Sequence, residues 1–194
     1  MTEIKRIAVY CGSSNGASEV YGAAAAELGR LCASRGIGVV YGGASRGTMG
    51  RVADAALEAG GEVTGVIPHG LVAMEVAHNG LTRQIEVETL HERKARMTEL
   101  SDGIAVLPGG YGTLDELFET LTWLQLAIHD KPVCLLNIGG YWEGLITQLH
   151  HCRQEGFLAP ANFELLGCAN DPAGLLDWLT AFEAPERPLW RAKP

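Results

Sequence analysis

Apolar residues in this chain come in short uninterrupted runs, separated by stretches in which they recur at helical spacing. Strand-like runs fall at Ile7–Cys11, Ile37–Tyr41, Val63–Ile67, Gln84–Glu88, Ile104–Leu107 and Val133–Asn137. Their length suits strands covered on both faces of a parallel sheet. Helical patterns occupy Ala17–Ser34, Thr48–Ala59, Leu90–Leu100, Thr113–His129 and Tyr141–Glu155, and Asp171-Pro172 caps a last helix running through Phe182. A seventh short strand is expected at Glu164–Cys168. The alternation predicts an α/β fold, a Rossmann-like doubly wound parallel sheet flanked by helices. No internal repeat or low-complexity linker interrupts it, so residues 1–184 are expected to form one domain and the Pro-rich residues 185–194 a C-terminal tail.

In such sheets ligands sit at the carboxyl ends of the strands, where loops run into helix N-termini. Three of those loops are rich in glycine or serine: Cys11-Gly12-Ser13-Ser14-Asn15-Gly16, Tyr41 to Gly50, and Pro108-Gly109-Gly110-Tyr111-Gly112-Thr113-Leu114-Asp115-Glu116. The last carries the most chemistry. Its glycines let the backbone approach a ligand, and the helix that follows offers unpaired N–H groups to a phosphate or carboxylate. Glu116 adds a carboxylate one turn inside that mouth. The same residues also spell a capping box, Thr113-x-x-Glu116, in which each side chain satisfies a backbone N–H and no ligand is involved. The segment alone leaves both open.

Common nucleotide fingerprints fail here. Gly42 to Gly47 has the spacing of a Walker A loop, but Thr48 stands where the lysine is required. Asp115 occupies the third glycine position of G-x-G-x-x-G after Gly110 and Gly112, which demotes a dinucleotide site.

Composition narrows the partners. A net charge of −8 argues against a nucleic acid polymer or an anionic membrane surface, both of which need a basic field. The first apolar segment is about five residues long, and no stretch approaches the roughly 18 needed to cross a bilayer, so neither a signal peptide nor a membrane span is expected. Cys11, Cys32, Cys134, Cys152 and Cys168 are widely spaced without a C-x-x-C pair, as reduced core thiols are. The expected location is cytoplasmic. The histidines form no ligand pattern, and no metal is expected.

Within this acidic chain the segment Leu90 to Leu100 stands out. As a helix it has an apolar stripe of Leu90, Met97 and Leu100, into which Arg93 and Lys94 point while Glu92 and Glu99 point away. Two inward cations need an anion, from a ligand or a buried salt bridge, unless they snorkel to solvent. The strand after this helix leads into the Pro108–Glu116 turn.

The two segments together resemble the Lonely Guy family. Pro108–Glu116 meets its motif P-G-G-x-G-T-x-x-E in full, and Leu90-His91-Glu92-Arg93-Lys94 meets M-H-x-R-K with leucine in place of methionine. The likeness extends through Cys11–Ser14, Tyr41–Gly50, Leu71 to Glu75, Ser101-Asp102, Thr122-Trp123, His129–Pro132 and Glu155–Phe157. Ala44 and Thr48 replace a glycine and a leucine, and Val72-Ala73-Met74 departs from Met-Pro-Arg. The resemblance implies a cytokinin riboside 5′-monophosphate phosphoribohydrolase, which cleaves the N-glycosidic bond of an adenine-type nucleoside monophosphate to free base and ribose 5-phosphate. It implies Arg93 and Glu116 as the catalytic pair. Ser13, Gly43, Glu75, Lys94, Gly109, Gly110, Tyr111, Gly112, Thr113 and Thr122 would join Arg93 in the substrate site. No cofactor is implied, and a homodimer is. Trp123 and Leu126 offer a second apolar face on the helix after Thr113 for that contact. The rival from another class is a nucleotide or molybdenum-cofactor carrier that binds without turnover; a broad hydrolase of AMP and damaged nucleotides is a third possibility.

Overall fold

Strand β1 (Arg6–Tyr10) lies at the centre of a seven-stranded sheet, with β2 (Gly38–Tyr41), β3 (Val63–Pro68) and β4 (Arg83–Val87) on one side and β5 (Gly103–Val106), β6 (Val133–Leu136) and β7 (Leu166–Ala169) on the other. The order is β4-β3-β2-β1-β5-β6-β7, and every pair is parallel. This computed structural model describes residues 3–72 and 77–185.

The strands are apolar on both faces because both are covered. On β1, Ile7 and Val9 pack with Leu28 of α1 (Glu19–Ser34), Val52 of α2 (Gly47–Glu58) and Leu176 of α7 (Pro172–Ala181). The alternating residues Ala8 and Tyr10 face the other way, toward Met97 of α3 (Leu90–Glu99), Leu117 and Leu124 of α4 (Tyr111–Gln125), and a half-buried Leu145 of α5 (Glu143–Gln154). Helix α1, entered from β1, therefore covers one face, and α4, entered from β5, covers the opposite one. Their adjoining strands form the topological switch point, where the two connections part and leave a crevice.

Expected and observed elements differ where loop chemistry decides the ends. Helix α4 opens at Tyr111 rather than Thr113, and it stops at Gln125 rather than His129 because Ala127 turns left-handed, with φ of 53°. Ile128 is consequently exposed instead of continuing the apolar stripe. A short unexpected helix α6, Pro160–Phe163, starts on its proline, and its C-cap is Glu164, which delays β7 to Leu166. Of the cysteines expected in the core, Cys11, Cys32 and Cys134 are buried; Cys152 is half-buried and Cys168, on edge strand β7, is exposed. Residues 186–194 of the expected tail lie outside the described residues. Among the described residues, no helix is long and apolar enough to cross a membrane, and no group of His, Cys, Asp and Glu could hold a metal ion.

Candidate active site

A cavity of about 540 Å³ fills the crevice at the switch point, lined by residues 11–17 after β1 and residues 108–113 after β5. The two loops stand side by side because β1 and β5 pair up to their ends, where Leu107 N donates to the Tyr10 carbonyl at 2.9 Å. Gly110 is the N-cap of α4 and no side chain caps the helix. The first-turn N–H groups of Tyr111, Gly112 and Thr113 thus lack an intrahelical acceptor and sit at the positive end of the helix dipole. Gly109 is compressed against this turn. A methyl group there would come within 2.1 Å of Thr113 Oγ1.

The capping box that Thr113-x-x-Glu116 also allowed does not form, since the N-cap is Gly110. Thr113 lies inside the first turn, and the Glu116 side chain turns toward α3 instead. Arg93 Nη2 donates to Glu116 Oε1 at 2.9 Å, and the two side chains are only 7% and 5% exposed. Both residues line the cavity. Helix α3 carries Arg93 there in a fixed register, since Thr89 accepts from Glu92 N at 3.1 Å while Glu92 Oε2 accepts from Glu88 N at 2.9 Å. Leu90, expected in the apolar stripe, is exposed at the start of the helix, and the buried face is Arg93, Lys94, Met97 and Thr98.

Lys94 serves a different purpose from its neighbour. Its ammonium pairs with Asp115 at 2.9 Å and Glu119 at 3.1 Å, and it does not line the cavity. Burial pulls its pKa down, but the two carboxylates outweigh this and hold it above the ordinary lysine value. Arg93 to Glu116 and Lys94 to Asp115 and Glu119 thus lace α3 to α4, and Tyr10 adds a further tie beneath them. Its buried hydroxyl lies 3.1 Å from both Thr98 on α3 and Thr120 on α4. Burial pushes the Tyr10 phenol up to about 12 and the Cys11 thiol, at the cavity floor, also to about 12. Cys11 is therefore a neutral thiol near pH 7, unsuited to nucleophilic attack.

The second glycine-rich loop supports the first. Thr48 Oγ1 and Met49 N donate to the Gly12 carbonyl at 3.0 and 3.2 Å, and Thr48 N to that of Ser14 at 3.4 Å. Gly47, at φ of 64°, lies so close to Ser13 and Ser14 that a Cβ would come within 2.3 Å of their backbone. The N-terminus of α2 thus directs its donors to loop carbonyls.

The expected catalytic pair Arg93 and Glu116 shares this cavity with Ser13, Gly109, Gly110, Tyr111, Gly112 and Thr113 of the expected substrate site. Gly43 does not, being turned toward Ile67 with its carbonyl accepting from His78 N at 3.0 Å. Thr122 is exposed about three turns along α4, donates to the Phe118 carbonyl at 2.7 Å, and lines a separate groove of about 110 Å³. Glu75 lies outside the described residues. Thr48, noted in sequence only as a departure from motifs, also lines the cavity, as do Tyr21, Met49 and Tyr141, which were not singled out. The signal available for Tyr141 was its position just after β6, on the same rim.

Fold and site together define a class, a parallel α/β protein with an uncapped helix N-terminus and a buried arginine–glutamate pair at its switch point. A family model described as possible lysine decarboxylase matches residues 49–179. The cytokinin riboside 5′-monophosphate phosphoribohydrolase LOG5 of Arabidopsis thaliana is 43% identical over 182 residues, which is 94% of this chain and 80% of the relative. LOG1 of the same plant, of the same description, is 46% identical over 159 residues, 82% of this chain and 75% of the relative. The molybdenum cofactor carrier protein of Chlamydomonas reinhardtii superposes with a TM-score of 0.70 at 23% identity over 93% of this chain and 100% of that one, a likeness of fold alone. The chain belongs to the Lonely Guy (LOG) family of phosphoribohydrolases, which the family model describes as possible lysine decarboxylases.

Proposed function

We propose that this chain hydrolyses the N-glycosidic bond of adenine-type nucleoside 5′-monophosphates, cytokinin precursors and AMP among them, releasing free base and ribose 5-phosphate. The observation that carries the proposal is the placing of Glu116, held by Arg93 at 2.9 Å, in the same cavity as the uncapped N-terminus of α4. The 5′-phosphate binds the first-turn amides of Tyr111 to Thr113, where oriented dipoles favour negative charge. The ribose then extends toward Glu116. As the bond from C1′ to the base nitrogen breaks, positive charge develops on the sugar, and a fixed, buried carboxylate stabilises it. The same carboxylate orients the water whose oxygen joins C1′, and the proton released by that water is balanced by protonation of the departing base. Arg93 keeps the carboxylate in one orientation.

Decarboxylation of an amino acid through pyridoxal phosphate does not fit these residues, because no lysine lines the cavity among the described residues and Lys94 is engaged by Asp115 and Glu119. A carrier of a nucleotide-containing cofactor shares the fold, but mere holding of a ligand gives no use for a carboxylate fixed next to the anion seat. Incubating the purified protein with AMP and isopentenyladenosine monophosphate separates the two. Free base and ribose 5-phosphate should accumulate in equal amounts, and stoichiometric binding without release would support the carrier.

Two copies are proposed to meet through the outer face of α4. Trp123 and Leu126, the face expected from sequence, are half-buried, while Phe118 is 42% exposed and borders a shallow groove on the same helix with Leu121, Thr122 and Phe163. Exposed apolar surface of this kind favours a partner. Light scattering at micromolar concentration should give twice the chain mass, and a monomer would refute the contact. The cytoplasm is proposed as the location, its reducing conditions suiting five free cysteines.

A further inference from the structure

We infer that Tyr141 is a positioning residue for the phosphate end of the substrate, its hydroxyl holding the Gly109–Gly110 peptide in the orientation that accepts an anion. Tyr141 reaches this peptide from the neighbouring connection. After β6 the chain makes a tight turn over Ile138–Gly140, with Gly139 and Gly140 at φ of 61° and 72°, and this delivers the tyrosine to the cavity rim. There its hydroxyl donates to the Gly109 carbonyl at 2.6 Å.

The ring that carries this hydroxyl is itself held. Tyr21 packs against it edge to face with centroids 5.7 Å apart, and Trp142 does so at 4.8 Å. Trp142 is buried, and its backbone N–H donates to Asn137 Oδ1 at 2.8 Å. The donor thus stands on a rigid base although the tyrosine itself is 40% exposed.

What it holds is a peptide between two glycines. No side chain caps α4 at Gly110, and an added Cβ on Gly110 would meet nothing within 4 Å. With no Cβ on either residue and open space around Gly110, this peptide rotates at less steric cost than one between larger residues, although Gly109 itself is packed against Thr113. In a trans peptide the carbonyl and the following N–H point in opposite directions. Tying the Gly109 carbonyl to Tyr141 therefore fixes the Gly110 N–H on the other side. A rotated peptide would turn its carbonyl where the N–H had been and repel a phosphate. Without the tyrosine hydroxyl, only part of the population has the receptive loop, and apparent affinity falls by that fraction.

Because this role presupposes the hydrolase function proposed above, it is tested with a readout that needs no turnover. Tyr141→Phe keeps the ring between Tyr21 and Trp142 and removes only the hydroxyl. Calorimetry with ribose 5-phosphate should show Kd raised about five- to tenfold, the scale of one lost hydrogen bond. With AMP, KM should rise by the same factor while kcat stays within about twofold, since the bond positions the anion and leaves Glu116 untouched. An unchanged Kd for ribose 5-phosphate, or a fall in kcat at constant KM, would overturn the inference. A wild-type protein that binds ribose 5-phosphate and shows the Tyr141 effect on Kd, yet releases no base from AMP, would keep this role and refute the hydrolase.

Discussion

Arg93 and Glu116, on two helices that cover the same face of the sheet, meet at 2.9 Å with almost no access to solvent. A pair so buried is a poor source of net stability, because desolvation consumes most of the Coulombic gain. Removing one member is a different matter, since it strands the other charge.

Arg93→Ala is therefore expected to cost about 3 kcal/mol of folding stability and to lower kcat by roughly 100-fold, as the carboxylate loses its fixed orientation. Thermal melting alongside turnover checks both. A melting temperature and kcat like those of the wild type would mean that the pair neither fixes the helices nor serves the reaction.

The glycines of the β5 loop are expected to separate fold from binding. Gly109→Ala forces a Cβ to within 2.1 Å of Thr113 Oγ1, whereas Gly110→Ala meets nothing within 4 Å. The first should melt well below the wild type. The second should melt near it but show a KM for AMP raised on the order of tenfold, because the methyl group occupies space an approaching phosphate needs. Equal melting temperatures for the two variants would contradict this division.

Much of this was legible in the chain. Continuous apolar runs at Ile104–Leu107 and Val133–Asn137 announced strands covered on both faces, because burial on both sides leaves no room for polar alternation. The Pro108–Glu116 turn pointed to the rim where the cavity lies. The sequence was less informative where neighbouring side chains part company. Arg93 and Lys94 are adjacent, yet a helix sets them about 100° apart, and one turns to the cavity while the other meets Asp115 and Glu119. The Thr113-x-x-Glu116 spacing fits a capping box, but glycine at 110 lets the helix begin earlier and frees Glu116 for Arg93. The position of Tyr141 after β6 put it on the rim, but its contact with Gly109 could not be read from spacing, since that depends on β6 lying beside β5.

Stability is expected to fall on the alkaline side. Burial pushes the Cys11, Cys32 and Cys134 thiols up from 9.0 to about 12. The unfolded chain releases these protons near the lower value and the folded chain only near the higher one, so their contribution is complete below pH 9 and is lost as pH rises toward 12. Lys94, held above the ordinary lysine value, and Tyr10, raised to about 12, act in the same direction. Melting in reductant should be nearly flat up to about pH 8 and decline beyond pH 9, with a shallower decline in Cys134→Ala. A melting temperature constant across that range would contradict the burial of these groups.

Glu116 carries the central claim, and since it caps no helix its charge can be removed without touching the start of α4. In Glu116→Gln the amide oxygen still accepts from Arg93, so the fold should survive with a lowered melting temperature, while the negative charge proposed to support the sugar cation is gone. The decisive measurement is kcat for release of free base from AMP by folded Glu116→Gln, read below its melting temperature. The expected result is a fall of about 100-fold or more, with ribose 5-phosphate still bound; turnover close to that of the wild type would contradict the assignment of Glu116 to the chemistry.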